Sequence, residues 1–250
     1  MTPTPRTLYV HDDLSDDTSE RHGADSEARR AVRALLDLIA RDADRVRILT
    51  LDEQLGVLTR GHHTAFAVAV GIGRAGERVA RQVHARTGWF PVVARVDVTR
   101  EERGDGYALS TLGQPPLAIQ VAGVADAPSI AVVDDTVFSG LTMLAVLRAL
   151  PAGALCRTQA FCLRAVHDSL ARVAKLCPVD AGFVAHGRLL DDVSFINASG
   201  LVRRGAIRRA GQAPLAFYER PEWMSAWFLK DAEEVTARCV ALARLLGEAA

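Results

Sequence analysis

Residues 130–142 read IAVVDDTVFSGLT. Four apolar residues in a row suit a strand buried on both faces, as in a parallel sheet covered by helices. Asp134 and Asp135 then fall at the carboxyl end of that strand, where open α/β sheets place their ligands. Phe138-Ser139-Gly140-Leu141-Thr142 turns tightly into a helix. Such a turn offers an anion its backbone N–H groups, a favourable helix dipole and two hydroxyls. Gly140 lets the backbone come close to that anion. Carboxylates beside a phosphate repel it, so the two aspartates must face something else. A vicinal diol donates hydrogen bonds to carboxylate oxygens, and ribose 5-phosphate carries both a diol and a phosphate. The plain alternative is an Asp-Asp helix cap after a core strand, but a cap requires neither two acids nor the Ser-Gly-x-Thr continuation.

A second glycine turn precedes this one. Gly71-Ile72-Gly73-Arg74-Ala75-Gly76 fits G-x-G-x-x-G between an apolar run and a helical pattern, and Asp97 lies 21 residues beyond Gly76. That spacing fits a dinucleotide fingerprint, with Asp97 on the adenosine ribose. It fits equally a loop that cradles pyrophosphate, or a turn that only packs a helix on a strand. The local residues do not separate these readings.

The segment 130–142 resembles the phosphoribosyl pyrophosphate (PRPP) signature of the type I phosphoribosyltransferases: four apolar residues, two acidic ones and a short Ser/Thr-Gly phosphate loop. The resemblance implies that Asp134 and Asp135 bind the ribose hydroxyls, directly or indirectly with Mg²⁺, and act in catalysis. It implies that Thr136, Phe138, Ser139, Gly140, Leu141 and Thr142 form the 5-phosphate site. Such an enzyme requires a second phosphate loop, which a dinucleotide enzyme does not. Gly73, Arg74, Ala75 and Gly76 then become the pyrophosphate loop, with Arg95 beside it. The polar stretch 99–113 reads as a long mobile loop of the kind that closes over PRPP, with Arg100 and Arg103 as its catalytic cations. It has no Lys, which the orotate-using members usually carry there. In purine-using members the first loop position often holds an Asp that handles the proton of the base. Here it is Phe138, which transfers no proton, so the implied acceptor is a nitrogen heterocycle or amine other than a standard purine.

The rest of the chain reads as an open, mainly parallel α/β sheet flanked by helices. Expected strands are 64–70, 91–98, 130–133, 158–163 and 181–185; expected helices are 77–87, 140–150 and 167–176. The expected division is an N-terminal arm and part of a hood at 1–63, a PRPP-binding core at 64–186, and a C-terminal hood and closing helix at 187–250. Within the arm, 1–24 reads as loose apart from a short strand at 8–10. Val32, Leu35, Leu36 and Ile39 recur at helical spacing over 26–39, and 46–49 reads as a strand. Residues 187–222 are irregular, and 231–246 is an Ala/Leu-rich helix. The hood holds the candidates for acceptor recognition: 191–200, Arg203-Arg204, and an aromatic group from Phe217 to Phe228 with Trp223 and Trp227. A stacking platform and an ordinary core both fit that group.

Composition bounds the partners. The chain has 250 residues, 49% hydrophobic, with Lys+Arg and Asp+Glu at 30 each. Zero formal charge argues against a dedicated duplex-DNA binder. No apolar run reaches the ~20 residues of a membrane helix, and Met1 to Glu20 has no secretory h-region. The expectation is therefore a cytoplasmic protein with PRPP and a small acceptor as partners, no membrane and no nucleic acid, and a homodimer by family resemblance. Four cysteines without metal-type spacing read as reduced core residues. His62-His63 reads as a loop pair. Two other readings stay open: a PRPP- or nucleotide-sensing regulator of the same fold without turnover, and an NAD(P)-binding protein.

Overall fold

Strand β1 (Leu8–Asp12), helices α1 (Ser15–His22) and α2 (Glu27–Ile39) and strand β2 (Val46–Thr50) come first in the chain. Next come α3 (Leu51–Leu58), β3 (Val68–Ile72), α4 (Gly73–Thr87), β4 (Val93–Val96), β5 (Thr99–Arg103), β6 (Gly106–Ser110) and α5 (Leu117–Gln120). They are followed by β7 (Ile130–Val137), α6 (Leu141–Ala149), α7 (Ala152–Leu155), β8 (Thr158–Val166), α8 (His167–Val173) and β9 (Val179–Ala185). The last elements are β10 (Phe195–Asn197), α9 (Ala198–Val202), α10 (Pro221–Trp227) and α11 (Ala232–Leu245). The computed structural model describes residues 7–104, 106–185 and 195–248. The chain divides into two units, Met1–Leu51 with Gly187–Ala250, and Asp52–His186.

The unit 52–186 is built on a five-stranded parallel sheet of order β4-β3-β7-β8-β9. β7 is central because Ile130, Ala131, Val132 and Val133 are all buried and satisfy both faces. Ile130 and Val132 join a core with Val70, Met143, Val146 and Leu147, which brings α6 onto that face. The alternate residue Val133 lies where α4 crosses: a Cβ on Gly76 would stand 2.3 Å from the Val133 carbonyl oxygen. The helix thus approaches the strand as closely as backbone allows. Helices therefore flank both faces of a parallel sheet, the α/β arrangement expected from the sequence. Burial pushes the Cys177 thiol up to about 11 and Cys239, in the other unit, up to about 12. All four cysteines are free.

Three expectations need correction. Within the stretch 99–113, β5 pairs antiparallel with β6, from Thr99↔Ser110 to Arg103↔Gly106. Its strand Thr-Arg-Glu-Glu-Arg has no apolar face, so it shows no alternation to read. Residues 7–24 are not loose: the expected short strand at 8–10 is β1, the central strand of the sheet β10-β1-β2, with Leu8 and Val10 fully buried, and α1 follows it. Asp12 then caps α1 by accepting from the Ser15 N–H at 2.9 Å. The segment 51–58, read as part of the arm, is helical.

In the unit 1–51 with 187–250, α2 is capped by Ser26, whose side chain accepts from the Arg29 N–H. It buries Val32, Leu35, Leu36 and Ile39 against Trp223, Trp227, Val235 and Leu242. Phe217 and the two tryptophans pack edge to face and tilted, with centroids 5.3–5.8 Å apart. They are core residues, with Trp223 8% and Trp227 0% exposed. That removes them as a stacking platform for a ligand. Of the stretch 191–200, residues 191–194 lie outside the described residues. Among the described residues no helix is long and apolar enough to cross a membrane.

Gly56 in α3 and Gly76 in α4 give opposite expectations. Gly76→Ala must push α4 off β7 and should destabilise by roughly 1–3 kcal/mol. Gly56→Ala meets open space in α3 and should stabilise by about 0.5–1 kcal/mol. Urea unfolding measures both; a Gly76→Ala variant as stable as wild type would contradict the close crossing.

Candidate functional site

The carboxyl end of β7 carries Asp134 and Asp135, as the strand pattern requires. Asp134 is 6% exposed, and its Oδ1 accepts from the Asp135 N–H at 2.9 Å. Burial, and after it the charge of Asp135, holds the Asp134 carboxyl well above the usual carboxylate range. Asp135 is 23% exposed and lies 3.0 Å from Nη2 of Arg164, whose side chain is fully buried. Nη1 of Arg164 donates at 2.7 Å to Oε1 of Gln54, itself fully buried on α3. The two acids are thus unequal. Asp134 is the buried member, its carboxyl pushed up, and Asp135 is the half-exposed member with a built-in counter-charge. Arg164 and Gln54 were not picked out from the sequence. The available signal was Arg164 itself, a cation inside the otherwise apolar run Ala160–Val166 of β8.

The turn after β7 has the form that an anion needs. Gly140 is the N-cap of α6 with φ +73°, a left-handed conformation that favours glycine. Ser139 Oγ accepts from the Leu141 N–H at 3.4 Å. Ser169 on α8 donates to the Phe138 carbonyl at 2.6 Å. Arg172, one turn further along α8, donates at 2.7 Å to the Ser139 carbonyl and at 3.1 Å to Ser169 Oγ. This brace is the other feature that the sequence reading missed, since no motif links α8 to the loop. Thr136 stays within β7, in register with Arg164, and its Oγ1 is buried without a hydrogen-bond partner. Leu141 and Thr142 are half-buried in the first turn of α6.

The hairpin reaches this same turn. Nη1 of Arg100 donates to Ser139 Oγ at 3.2 Å, and the guanidinium lies 5.6 Å from the Phe138 ring centroid and 5.1 Å from that of Tyr107. Arg103, at the far end of β5, is exposed.

The other glycine turn divides by role. A Cβ on Gly71 would stand 2.5 Å from the Glu77 backbone, and Gly76 abuts Val133 as described, so both serve packing. Gly73 has φ +60° and open space where its Cβ would be; it is the glycine left for a ligand. Arg74 and Ala75 beside it are exposed. Arg95 is committed to carboxylates, 3.1 Å from Asp97 and 3.6 Å from Glu77. Asp97 is tied further, its N–H donating to Gln120 Oε1 at 2.7 Å. Neither arrangement suits Asp97 as a free acceptor for an adenosine ribose. His63 pairs with Asp180 at 2.7 Å amid Phe66, Trp89 and Phe161, fixing the entry to β3.

No protein-family model matches the sequence, and no curated protein matches it. Solved structures resemble it. AQ2163 protein from Aquifex aeolicus is 16% identical, with a TM-score of 0.39 over 68% of this chain and 81% of its own. A purine phosphoribosyltransferase from Pyrococcus horikoshii is 15% identical, with a TM-score of 0.34 over 68% of this chain and 86% of its own. A hypothetical protein from Neisseria gonorrhoeae with bound ppGpp is 14% identical, with a TM-score of 0.38 over 68% of this chain and 83% of its own. At these scores and identities none of them carries the functional reading, which rests on the chain's own residues.

The buried Asp134 carboxyl has a consequence for stability. Above the ordinary aspartate value near ~3.9, the unfolded chain releases this proton while the folded chain keeps it. Stability is therefore lost as pH rises through the raised value. Asp134→Asn should lose less stability than wild type as pH rises above the ordinary aspartate value, read from urea midpoints. An unchanged pH slope would contradict the raised Asp134 carboxyl.

Proposed function

We propose that the chain is a PRPP-dependent phosphoribosyltransferase, and the observation that carries this is the junction of Asp135 with the 138–142 turn. A carboxylate with its own counter-ion stands next to a phosphate-type helix N-terminus on one strand end. A carboxylate oxygen accepts more than one hydrogen bond, so its ion pair with Arg164 leaves Asp135 able to take a ribose hydroxyl. Burial, which pushes the Asp134 carboxyl up, disfavours a second negative charge beside the phosphate. The 5-phosphate goes to the N–H groups and hydroxyls of Ser139, Gly140, Leu141 and Thr142. The pyrophosphate goes to the Gly73 turn, with Arg74 and the hairpin's Arg103 as exposed cations.

The chemistry is displacement of pyrophosphate from C1 of the ribose by a nucleophilic nitrogen. The chain's contribution is positioning and charge stabilisation, with no protein nucleophile required. Among the described residues no three His, Cys, Asp or Glu side chains converge to hold a metal. If Mg²⁺ enters with PRPP, Asp135 and Asp134 are the carboxylates that would face it, directly or through water, and it would neutralise leaving-group charge. Phe138 lines the turn where a proton-transferring acid would serve a purine, so the acceptor is a nitrogen heterocycle or amine of another kind. The same Phe138 favours one second reading, a PRPP-binding regulator without turnover. The dinucleotide reading loses its acidic residue to the Arg95–Asp97–Gln120 cluster.

Calorimetric titration of PRPP with Mg²⁺ should show binding to wild type. Asp135→Asn should weaken it roughly 10- to 100-fold, the range for a hydrogen bond to a charged group. Pyrophosphate release in an acceptor screen then separates enzyme from regulator. No heat from PRPP together with tight NAD(P) binding would overturn the proposal.

A further inference from the structure

The turn 136–142 contains no basic residue of its own, yet two guanidinium groups from different elements meet on one of its residues. Arg100, from β5, donates to Ser139 Oγ at 3.2 Å. Arg172, from α8, donates to the Ser139 carbonyl at 2.7 Å. Among the described residues neither has a carboxylate at ion-pair distance. The contacts of Arg100 are Ser139 and the rings of Tyr107 and Phe138, and those of Arg172 are Ser139 and Ser169. The contrast with their neighbours is sharp. Arg95 is spent on Glu77 and Asp97, and Arg164 on Asp135. Two uncompensated positive charges held beside a left-handed glycine turn and a nine-residue helix make an excess of positive potential at one point. Guanidinium planes hold phosphate oxygens in pairs.

We propose that Arg100 and Arg172 bind the 5-phosphate itself, as a dianion, so that the β5–β6 hairpin is fastened at the sugar-phosphate end of the ligand and not at its pyrophosphate end. This rests on the reading of the site as a ribose 5-phosphate cradle. It departs from the sequence expectation, in which Arg100 and Arg103 were paired as catalytic cations of a closing loop. The Ser139 contacts hold both side chains in place before the ligand arrives, which limits the ordering cost of binding. Phe138 and Tyr107 then act as the rings on which the Arg100 guanidinium lies, a geometry that neither a lysine nor an aliphatic loop residue would reproduce.

The test titrates ribose 5-phosphate, its 5-phosphate methyl ester and magnesium pyrophosphate, separately, into the full chain and into Arg100→Gln and Arg172→Gln. Each substitution should weaken ribose 5-phosphate about 10- to 100-fold and leave pyrophosphate within about twofold of wild type. The loss should be smaller for the methyl ester, which carries one charge fewer. That comparison separates direct contact from a brace, since a brace that merely shapes the turn would cost both esters equally. Equal losses, or a loss confined to pyrophosphate, would overturn the assignment. Wild type that binds PRPP, with variants that bind ribose 5-phosphate as well as wild type, would overturn this assignment alone. Wild type that binds neither PRPP nor ribose 5-phosphate would overturn the cradle reading and this assignment with it.

Discussion

Two adjacent carboxylates at the end of a buried strand need a counter-charge, and Arg164 supplies it. Its fully buried guanidinium lies 3.0 Å from Asp135 and is held on its other side by Gln54 of α3. A buried cation stripped of its partner costs several kcal/mol, so Gln54, Arg164 and Asp135 stand or fall together. With that charge in place, Asp134 can take the dry side of the strand, its carboxyl pushed up by burial, while Asp135 faces outward. The strand end thereby presents one compensated carboxylate to a ligand. That is the form in which an acid can sit beside a phosphate site without repelling its occupant.

Around this point the backbone does the shaping. Gly76 brings α4 against β7, and Gly71 brings the start of the same helix against the end of β3, so the glycine turn is set by packing before any ligand is considered. The pattern G-x-G-x-x-G therefore carries less functional information here than its letters suggest: two of its three glycines have a structural reason, and of the three Gly73 alone has open space where its Cβ would be. The turn after β7 is the reverse case. Gly140 needs its left-handed conformation, and the surrounding elements spend Ser169, Arg172 and Arg100 on holding that turn. Investment of side chains from a hairpin and a helix in one short turn marks it as the point the unit is organised around.

Much of the second unit was legible from sequence because parallel strands buried on both faces stand out as apolar runs. Ile130–Val133, Thr158–Leu163 and the run ending at Val70 all fall within or beside observed strands. The hairpin was not legible, because Thr99–Arg103 is charged on both faces and alternation carries no contrast there. The short strand at 8–10 was readable, but its central place between β10 and β2 was not, because β10 comes about 185 residues later in the chain. Trp223 and Trp227 illustrate another limit, since nothing in a sequence tells an aromatic group that stacks on a ligand from one that fills a core. At the site, the aspartates and the Ser-Gly turn were readable as a local pattern. Arg164, Ser169, Arg172 and the destination of Arg100 were not, because each acts across 29 to 39 residues of sequence.

The central claim is that one strand end binds a ribose by its hydroxyls and its 5-phosphate together. A crystal structure of the chain with PRPP and Mg²⁺ tests it most directly. The account predicts the ribose hydroxyls on Asp135 and the 5-phosphate within hydrogen-bond distance of the N–H groups of Gly140, Leu141 and Thr142. Phosphate density confined to the Gly73 turn, with no sugar at Asp135, would contradict it.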